Sequence, residues 1–302
     1  MRILMPIDGS TCSKAALALI ASRSSLIESE PDIELLNVQY PVSARVMRGV
    51  GRELVQQHHV SESNKVIKPA LAVLKRAGLK ASSKAVVGSP GVEVSRIAVD
   101  HAADLIVMGS HGHTGIEKLL FGSVTQAVLA SCNTPLLVIR TDAAPIKQDS
   151  LKLGIALDGS KYGLAAVRFL VRHRALFGIA PTVTLIHVVP DLLKLAMPGF
   201  FGDTPVLGFK PEQVHEMQRA AFARAMAPAL KLLKGTALQV DEAQLVGNNA
   251  GDAIAAYAKK CKLDILAIGS QGKGAQGSVL LGSVATRLAA KCRTALLFVH
   301  AK

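Results

Sequence analysis

Two stretches of this 302-residue chain carry the same glycine spacing. The first runs Gly109, two residues, Gly112, nine residues, Gly122-Ser123; the second runs Gly269, two residues, Gly272, nine residues, Gly282-Ser283. Glycine leaves backbone N–H groups unobstructed and tolerates positive φ, and a helix N-terminus attracts negative charge. Ser123 and Ser283 are placed to cap the helix that each loop enters. The chemistry suited to this pattern is the grip of a phosphate chain by main-chain donors. Glycines can also serve only to shape a tight turn, but the full spacing occurs twice, each time after an apolar run. An acid accompanies each loop, Asp8 in Ile7-Asp8-Gly9-Ser10 and Asp158 in Leu157-Asp158-Gly159-Ser160. Each closes the first apolar run of its half at the same crevice as the loop, and capping the next helix is one reading of it.

Competing chemistry is weaker. Gly272-Lys273-Gly274-Ala275-Gln276-Gly277 matches G-x-G-x-x-G, yet a dinucleotide fingerprint belongs in the first βα turn and needs an acid about 20 residues later. No Asp or Glu occurs in residues 277–302. Neither loop contains G-K-S or G-K-T, so no Walker loop is present. His111-x-His113 lacks a third clustered ligand, and His58-His59 falls on an expected solvated helix face. Cys12, Cys132, Cys261 and Cys292 match no zinc or redox spacing; Cys132 and Cys292 occupy equivalent positions and are expected to be buried packing residues. No Ser-His-Asp or Cys-His set is recognisable.

The elements that must position these residues come from an internal duplication. Asp8 and Asp158 are offset by 150, whereas the glycine loops are offset by 160, so the second half holds about ten extra residues. The Pro-, Gly- and Phe-rich stretch near 197–208 is the expected insertion. The expected organisation is one domain over 1–140, a linker over 141–150 and a second domain over 151–302. Apolar runs at 2–7, 33–38, 83–87, 104–108 and 135–139 read as strands, with helices at 10–22, 53–76, 92–101 and 123–131 between them. The second half repeats the strands at 151–157, 182–188, 243–246, 264–268 and 295–299. Runs such as Leu105-Ile106-Val107-Met108 do not alternate, as expected of parallel strands covered on both faces. The fold class is therefore α/β: two repeated, doubly wound, open parallel five-stranded sheets with helices on both faces. With strand order 3-2-1-4-5, the ends carrying Asp8 and Gly109 open onto one crevice at the switch point.

With these residues in view, the sequence resembles the universal stress protein family in its tandem two-domain form, over essentially the whole chain. The resemblance implies ATP binding, with Mg2+ or a similar divalent cation. It implies a first site of Ile7, Asp8, Val38, Met108, Gly109, Gly112, Gly122, Ser123 and Val124. The implied second site comprises Leu157, Asp158, Val188, Ile268, Gly269, Gly272, Gly282, Ser283 and Val284; beyond the resemblance, Lys273 is a candidate phosphate contact, with a simply solvated loop lysine as the alternative. The second loop departs from the pattern: Gln271 stands where His111 keeps the family's histidine, and no counterpart of Thr114 is present. Family members also dimerise through the last strand. The apolar runs Leu136-Leu137-Val138-Ile139 and Leu296-Leu297-Phe298-Val299 are thus expected to pair the halves as an internal pseudo-dimer, and a further homodimer is possible.

Composition narrows the classes further. Half the residues are hydrophobic, which suits sizeable cores rather than disorder. No uncharged apolar run reaches a membrane span, and an acid at position 8 interrupts any signal-peptide core, so a cytoplasmic location is expected. The net charge is +13, with 16 basic against 13 acidic residues (+3) in 1–150 and 19 against 9 (+10) in 151–302. That excess favours anionic ligands. Aromatic residues are 4% of the chain and Trp is absent, which makes nucleic acid an unlikely partner. The leading expectation is a nucleotide-binding stress protein with at most slow hydrolysis. The alternatives are a true ATPase or phosphotransferase, and a scaffold whose basic second half meets an anionic partner or amphipathic ligand.

Overall fold

Ile3, Leu4 and Met5 are completely buried in β1 (Arg2–Pro6), as a strand covered on both faces requires. In this computed structural model, residues 1–112, 121–140, 150–192, 210–270 and 281–301 are described. The expected linker and the expected insertion therefore lie almost entirely outside the described residues.

In the first half β1 is followed by α1 (Thr11–Ala21), α2 (Ser24–Glu28), β2 (Asp32–Gln39), α3 (Ala44–Val50) and α4 (Arg52–Arg76). Then come β3 (Ala81–Val87), α5 (Pro90–Asp100), β4 (Leu105–Gly109), α6 (Ser123–Ser131) and β5 (Leu136–Ile139). The second half repeats this as β6 (Lys152–Ala156), α7 (Lys161–Arg172), β7 (Thr182–Val189), α8 (Pro211–Leu233) and β8 (Gln239–Val246). It closes with α9 (Ala250–Lys260), β9 (Ile265–Gly269), α10 (Ser283–Lys291) and β10 (Ala295–Val299). The expected strands 83–87 and 243–246 are longer than anticipated. Both lie at edges and alternate exposed polar residues, so an apolar count underestimates them.

Each half has the expected order, and the two join into one ten-stranded sheet, β3-β2-β1-β4-β5-β10-β9-β6-β7-β8. The join is the antiparallel pair β5–β10, with Leu137 opposite Leu297 and Leu136 opposite Phe298; all other pairs are parallel. Alternating side chains feed two cores. Ile3, Met5 and Ile7 pack with residues of α1, α4, α7 and α8 on one face, while Leu4 packs with α5, α6, α9 and α10 on the other. Both cores contain residues of both halves, so the seam is as apolar as a domain interior. Polar contacts fasten it as well. Arg140 donates from Nη1 to the Ala289 carbonyl at 2.8 Å, near the C-terminus of α10 where a cation is favoured. Ser25 Oγ donates to the Ala175 carbonyl at 2.6 Å.

Candidate functional site

The crevice of the first half is assembled by β1 and β4, which pair directly through Ile3–Leu105 and Leu4–Ile106. Their carboxyl ends deliver Ile7-Asp8 and Met108-Gly109 side by side. Ile7 N–H donates to the Leu36 carbonyl at 2.8 Å, continuing the β1–β2 ladder beyond the strand and bringing Val38 to the same end. After Asp8 the chain turns through Gly9, whose φ of +80° suits glycine. Asp8 Oδ1 accepts from the Ser10 N–H at 2.9 Å, and Ser10 Oγ in turn caps α1 by accepting from Ser13 N–H at 3.2 Å. The helix cap is thus Ser10; Asp8 braces the turn.

Two glycines permit close approach here. A Cβ on Gly109 would stand 2.5 Å from Cys12 Cβ and 2.7 Å from the Cys12 carbonyl carbon, so only glycine lets α1 begin against β4. A Cβ on Gly112 would stand 2.6 Å from Asp8 Oδ2. The loop's second glycine and the strand-one acid, 104 residues apart in the chain, therefore face each other directly.

The loop returns with Gly122. Its N–H donates to the Ser110 carbonyl at 2.8 Å and its carbonyl accepts from Gln126 N–H at 3.0 Å. With φ −62° and ψ 158°, Gly122 is the N-cap of α6. The expectation that Ser123 caps this helix is corrected: Ser123 is the first helical residue and lies exposed. Gly282 likewise caps α10, with N–H to Ser270 carbonyl at 2.9 Å and Thr286 N–H to its carbonyl at 2.9 Å. Ser283 is the exposed first residue there. Main-chain bonding decides the cap, and it leaves both serines at the helix mouth, where the dipole favours an anion. Val124 and Val284 follow, half-buried against the second core.

A buried polar cluster supports this end of the sheet. Asn37 Nδ2 donates to the Ile7 carbonyl at 2.7 Å, while Asn37 Oδ1 accepts from Gln39 Nε2 at 2.8 Å and Ser63 Oγ at 2.9 Å. Across the loop, Thr125 Oγ1 donates to the Gly109 and Ser110 carbonyls, at 3.1 and 3.3 Å. His111 Nδ1 lies 3.1 Å from Ser110 Oγ, and Cys12 Sγ lies 3.7 Å from the same oxygen. Sequence reasoning passed over Asn37, Gln39, Ser63 and Thr125, and gave Ser110 no role. Ser10 and Ser110 recur as Ser160 and Ser270 inside the quoted motifs, a usable signal; Asn37 offered only its polarity within an apolar strand.

The second half follows the same plan with different side chains. Asp158 Oδ1 accepts from Ser160 N–H at 2.9 Å, Leu157 N–H donates to Ile186 at 2.8 Å, and Ile268-Gly269 end β9 beside β6. Val188 occupies the position of Val38. The place of Asn37 is taken by His187, whose Nδ1 lies 2.6 Å from the Leu157 carbonyl. A carbonyl only accepts, so this contact requires the proton on Nδ1. Phe222 stands beside the imidazole, ring centres 6.3 Å apart, in place of a hydroxyl partner. Ser270 Oγ is buried without a hydrogen-bond partner, whereas Ser110 has two neighbours. Gly272 and Lys273 lie outside the described residues, as does His113. Among the described residues there is no group of three metal-ligating side chains, Cys132 and Cys292 are buried and in no disulfide, and no helix is long and apolar enough to cross a membrane.

A duplicated, doubly wound α/β chain that follows strand one of each half with an acid and ends strand four with a glycine defines the class, a tandem repeat of one open-sheet domain. This chain belongs to the universal stress protein family: the family model matches residues 1–140 and again 151–300. A universal stress protein of Mycolicibacterium smegmatis is 24% identical over 311 residues, covering 99% of this chain and 96% of that protein. One from Methanocaldococcus jannaschii is 43% identical over 67 residues, which span 22% of this chain and only 41% of that relative. A solved universal stress protein from Archaeoglobus fulgidus superposes with a TM-score of 0.69 at 20% identity, over 100% of this chain and 98% of that one, a likeness of fold.

Proposed function

We propose that this chain is a cytoplasmic ATP-binding regulatory protein of the stress response, and that ATP occupies the crevice between β1 and β4. The observation that carries the reading is the apposition of Asp8 and Gly112 beside the Gly122-Ser123 helix mouth. A Cβ at position 112 would fill the space against the carboxylate; its absence leaves a cradle one side of which is backbone. Ile7 and Val38 offer main chain and apolar surface to the base, and Asp8 accepts from the ribose hydroxyls. Gly112 and the Ser123 N–H and hydroxyl grip the phosphates, while Gly122, its own N–H spent on Ser110, and Gly109, packed on Cys12, let the chain come close enough for them to do so. Met108, buried near the end of β4, and Val124, on the first turn of α6, set the floor of the crevice. The acid and the phosphates would repel one another; Asp8 is the side chain that would hold Mg2+ or a similar divalent cation there, and such an ion would supply the compensating positive charge. In the second half, Leu157, Asp158, Val188, Ile268, Gly269, Gly272, Gly282, Ser283 and Val284 are the corresponding set, with Lys273 as an added cationic contact.

Backbone donors and a helix dipole bind a polyphosphate without supplying a base to activate water, so occupancy rather than rapid turnover is the output. The test is direct. Protein purified without added nucleotide is denatured and the released small molecules are identified by mass spectrometry, and ATP affinity is then measured by calorimetry with and without Mg2+. Adenine nucleotide in the extract or a saturable ATP isotherm is expected. Neither, in a protein whose circular dichroism shows it folded, overturns the reading.

A further inference from the structure

The two halves also meet at the other end of the sheet, where β1 and β4 begin. There Ser25 Oγ donates to the carbonyl of Ala175, its own repeat partner at an offset of 150, so the axis relating the halves passes between them. Each side of that axis has the same framework. Asp104 accepts from the Arg2 N–H and Asp264 from the Lys152 N–H, both at 2.8 Å. Arg23 immediately precedes α2, and His173 stands at the same place before the 3-10 turn Arg174–Phe177. The two corners nevertheless differ. The one that carries Arg23 is closed: Arg23 is 1% exposed, and Leu151 and Leu176 are 1% and 2% exposed. In the other, the shorter His173 leaves a cavity of about 280 Å3. Both halves line it, with Met1, Leu26 and Asp104 from the first and Arg172, His173 and Ala175 from the second.

We propose that this cavity binds a small zwitterion, an α-amino acid with an aliphatic side chain. The charges on its wall are one of each sign. Arg172 has no hydrogen bond or ion pair among the described residues, and its planar guanidinium matches a carboxylate. Asp104 spends Oδ2 on the Arg2 N–H, which leaves Oδ1 to accept from an ammonium group. Burial holds His173 below its ordinary value of 6.5, with Arg172 adding to the effect and Asp104 opposing it. Near neutral pH the ring therefore adds no second cation. The rest of the wall is apolar: Leu26 is fully buried, and Met1 and Ala175 pack against the same core. An inorganic anion would meet Asp104, and a simple amine would meet Arg172, each at the cost of like charge. The volume lies at the small end of ligand pockets, which begin at about 300 Å3; that suits one amino acid rather than a peptide. The inference does not depend on the nucleotide reading, because the cavity lies at the opposite ends of the strands from Asp8 and Gly109.

The experiment titrates the full chain calorimetrically with L-leucine at neutral pH. Two analogues are run beside it: 4-methylpentanoate, which lacks the amino group, and 3-methylbutylamine, which lacks the carboxylate. A saturable leucine isotherm is expected, at least about tenfold tighter than that of either analogue. Arg172→Gln and Asp104→Asn should each weaken leucine binding about tenfold or more, one charge-assisted contact being lost. His173→Arg gives this corner the residue that stands in the closed one, and should abolish binding without lowering the melting temperature. Arg172 is exposed, so its variant tests the site however the cavity-filling variant folds. Leucine that does not bind, analogues that bind as tightly, or binding retained by either charge variant or by a folded His173→Arg overturns the proposal.

Discussion

The side-chain amide of Asn37 donates to the carbonyl of Ile7 at 2.7 Å, and the imidazole of His187 contacts the carbonyl of Leu157 in the same place at 2.6 Å. Each ties strand two to the residue just beyond strand one, immediately before the acid. In the first half that tie belongs to a buried network with Ser63 and Gln39; in the second it stands beside Phe222. Replacing Asn37 by Leu leaves the Ile7 carbonyl and the Ser63 hydroxyl without partners in a dry site, a cost of about 2–3 kcal/mol. Urea denaturation midpoints of the Asn37→Leu variant and the parent measure it. A change below about half a kilocalorie would mean that water reaches the network.

Gly112 and Gly109 separate binding from folding. Gly112 is exposed, and the atom its Cβ would meet is the end of the Asp8 side chain, which can rotate aside. Gly112→Ala should therefore leave stability within about 0.5 kcal/mol and weaken ATP binding about tenfold or more, one hydrogen-bonding geometry lost at a charged ligand. Calorimetric titration beside a thermal melt reads both quantities. Equal affinity in the two proteins would remove the Asp8–Gly112 cradle from the ATP site.

Gly109→Ala drives a methyl group into Cys12 backbone, which cannot move without shifting α1 off β4. A loss of about 3 kcal/mol is expected, at the upper end of overpacking costs. Gly154, in β6, is a useful contrast. A Cβ there meets only the terminal methyl groups of Leu263, Ile186 and Leu266, which can repack for about 1 kcal/mol. The ranking is the prediction, checked by denaturation of the two single variants side by side.

The seam is expected to make the two halves unfold together. Phe298 is fully buried and meets Phe121 edge-on, ring centres 6.0 Å apart, and Arg140 lies over the Phe121 ring at 5.9 Å. Phe298→Ala should cost about 3–5 kcal/mol and split a single calorimetric transition into two, as each half loses its partner. A single unshifted transition would show that the seam does not depend on Phe298.

Two histidines set a pH dependence. Burial holds His300 below its ordinary value of 6.5. His173 is also lowered, by burial first and by the nearby Arg172, against the opposing pull of Asp104. A histidine whose folded pKa is depressed binds fewer protons folded than unfolded, so stability is fully present above about pH 6.5 and falls as the pH drops through that value towards the folded pKa. Melting temperatures should decline between pH 7.5 and 5.5, and the double variant His173→Asn/His300→Gln should flatten that part of the slope. An unchanged slope would assign it to other groups.

Much of this molecule was legible before any coordinates. The doubled Ile/Leu-Asp-Gly-Ser and glycine-loop motifs marked the duplication, and unbroken apolar runs such as Leu105–Met108 marked central parallel strands, because a strand covered on both faces has no polar side to show. The order 3-2-1-4-5 was an expectation for a doubly wound sheet, which right-handed crossovers permit but do not by themselves select. The pairing of 136–139 with 296–299 was legible as two apolar edges that need cover. Other features were not legible. α3, with no buried residue, has no core-facing period to detect, and the polar edge strands β3 and β8 show too few apolar residues to reveal their length.

What residue order alone determined, then, was which segments become strands, that they come in two matched sets, and that each set ends strand one with an acid and strand four with a glycine. Those features are local, written in the types and spacing of neighbouring residues. Only the tertiary structure decided that Asp8 faces Gly112, that Gly122 rather than Ser123 caps α6, and that Asn37 and His187 fill one position with different chemistry. These are contacts between residues far apart in the chain, and close packing selects among them by distances of a few tenths of an ångström, which no one-dimensional pattern encodes.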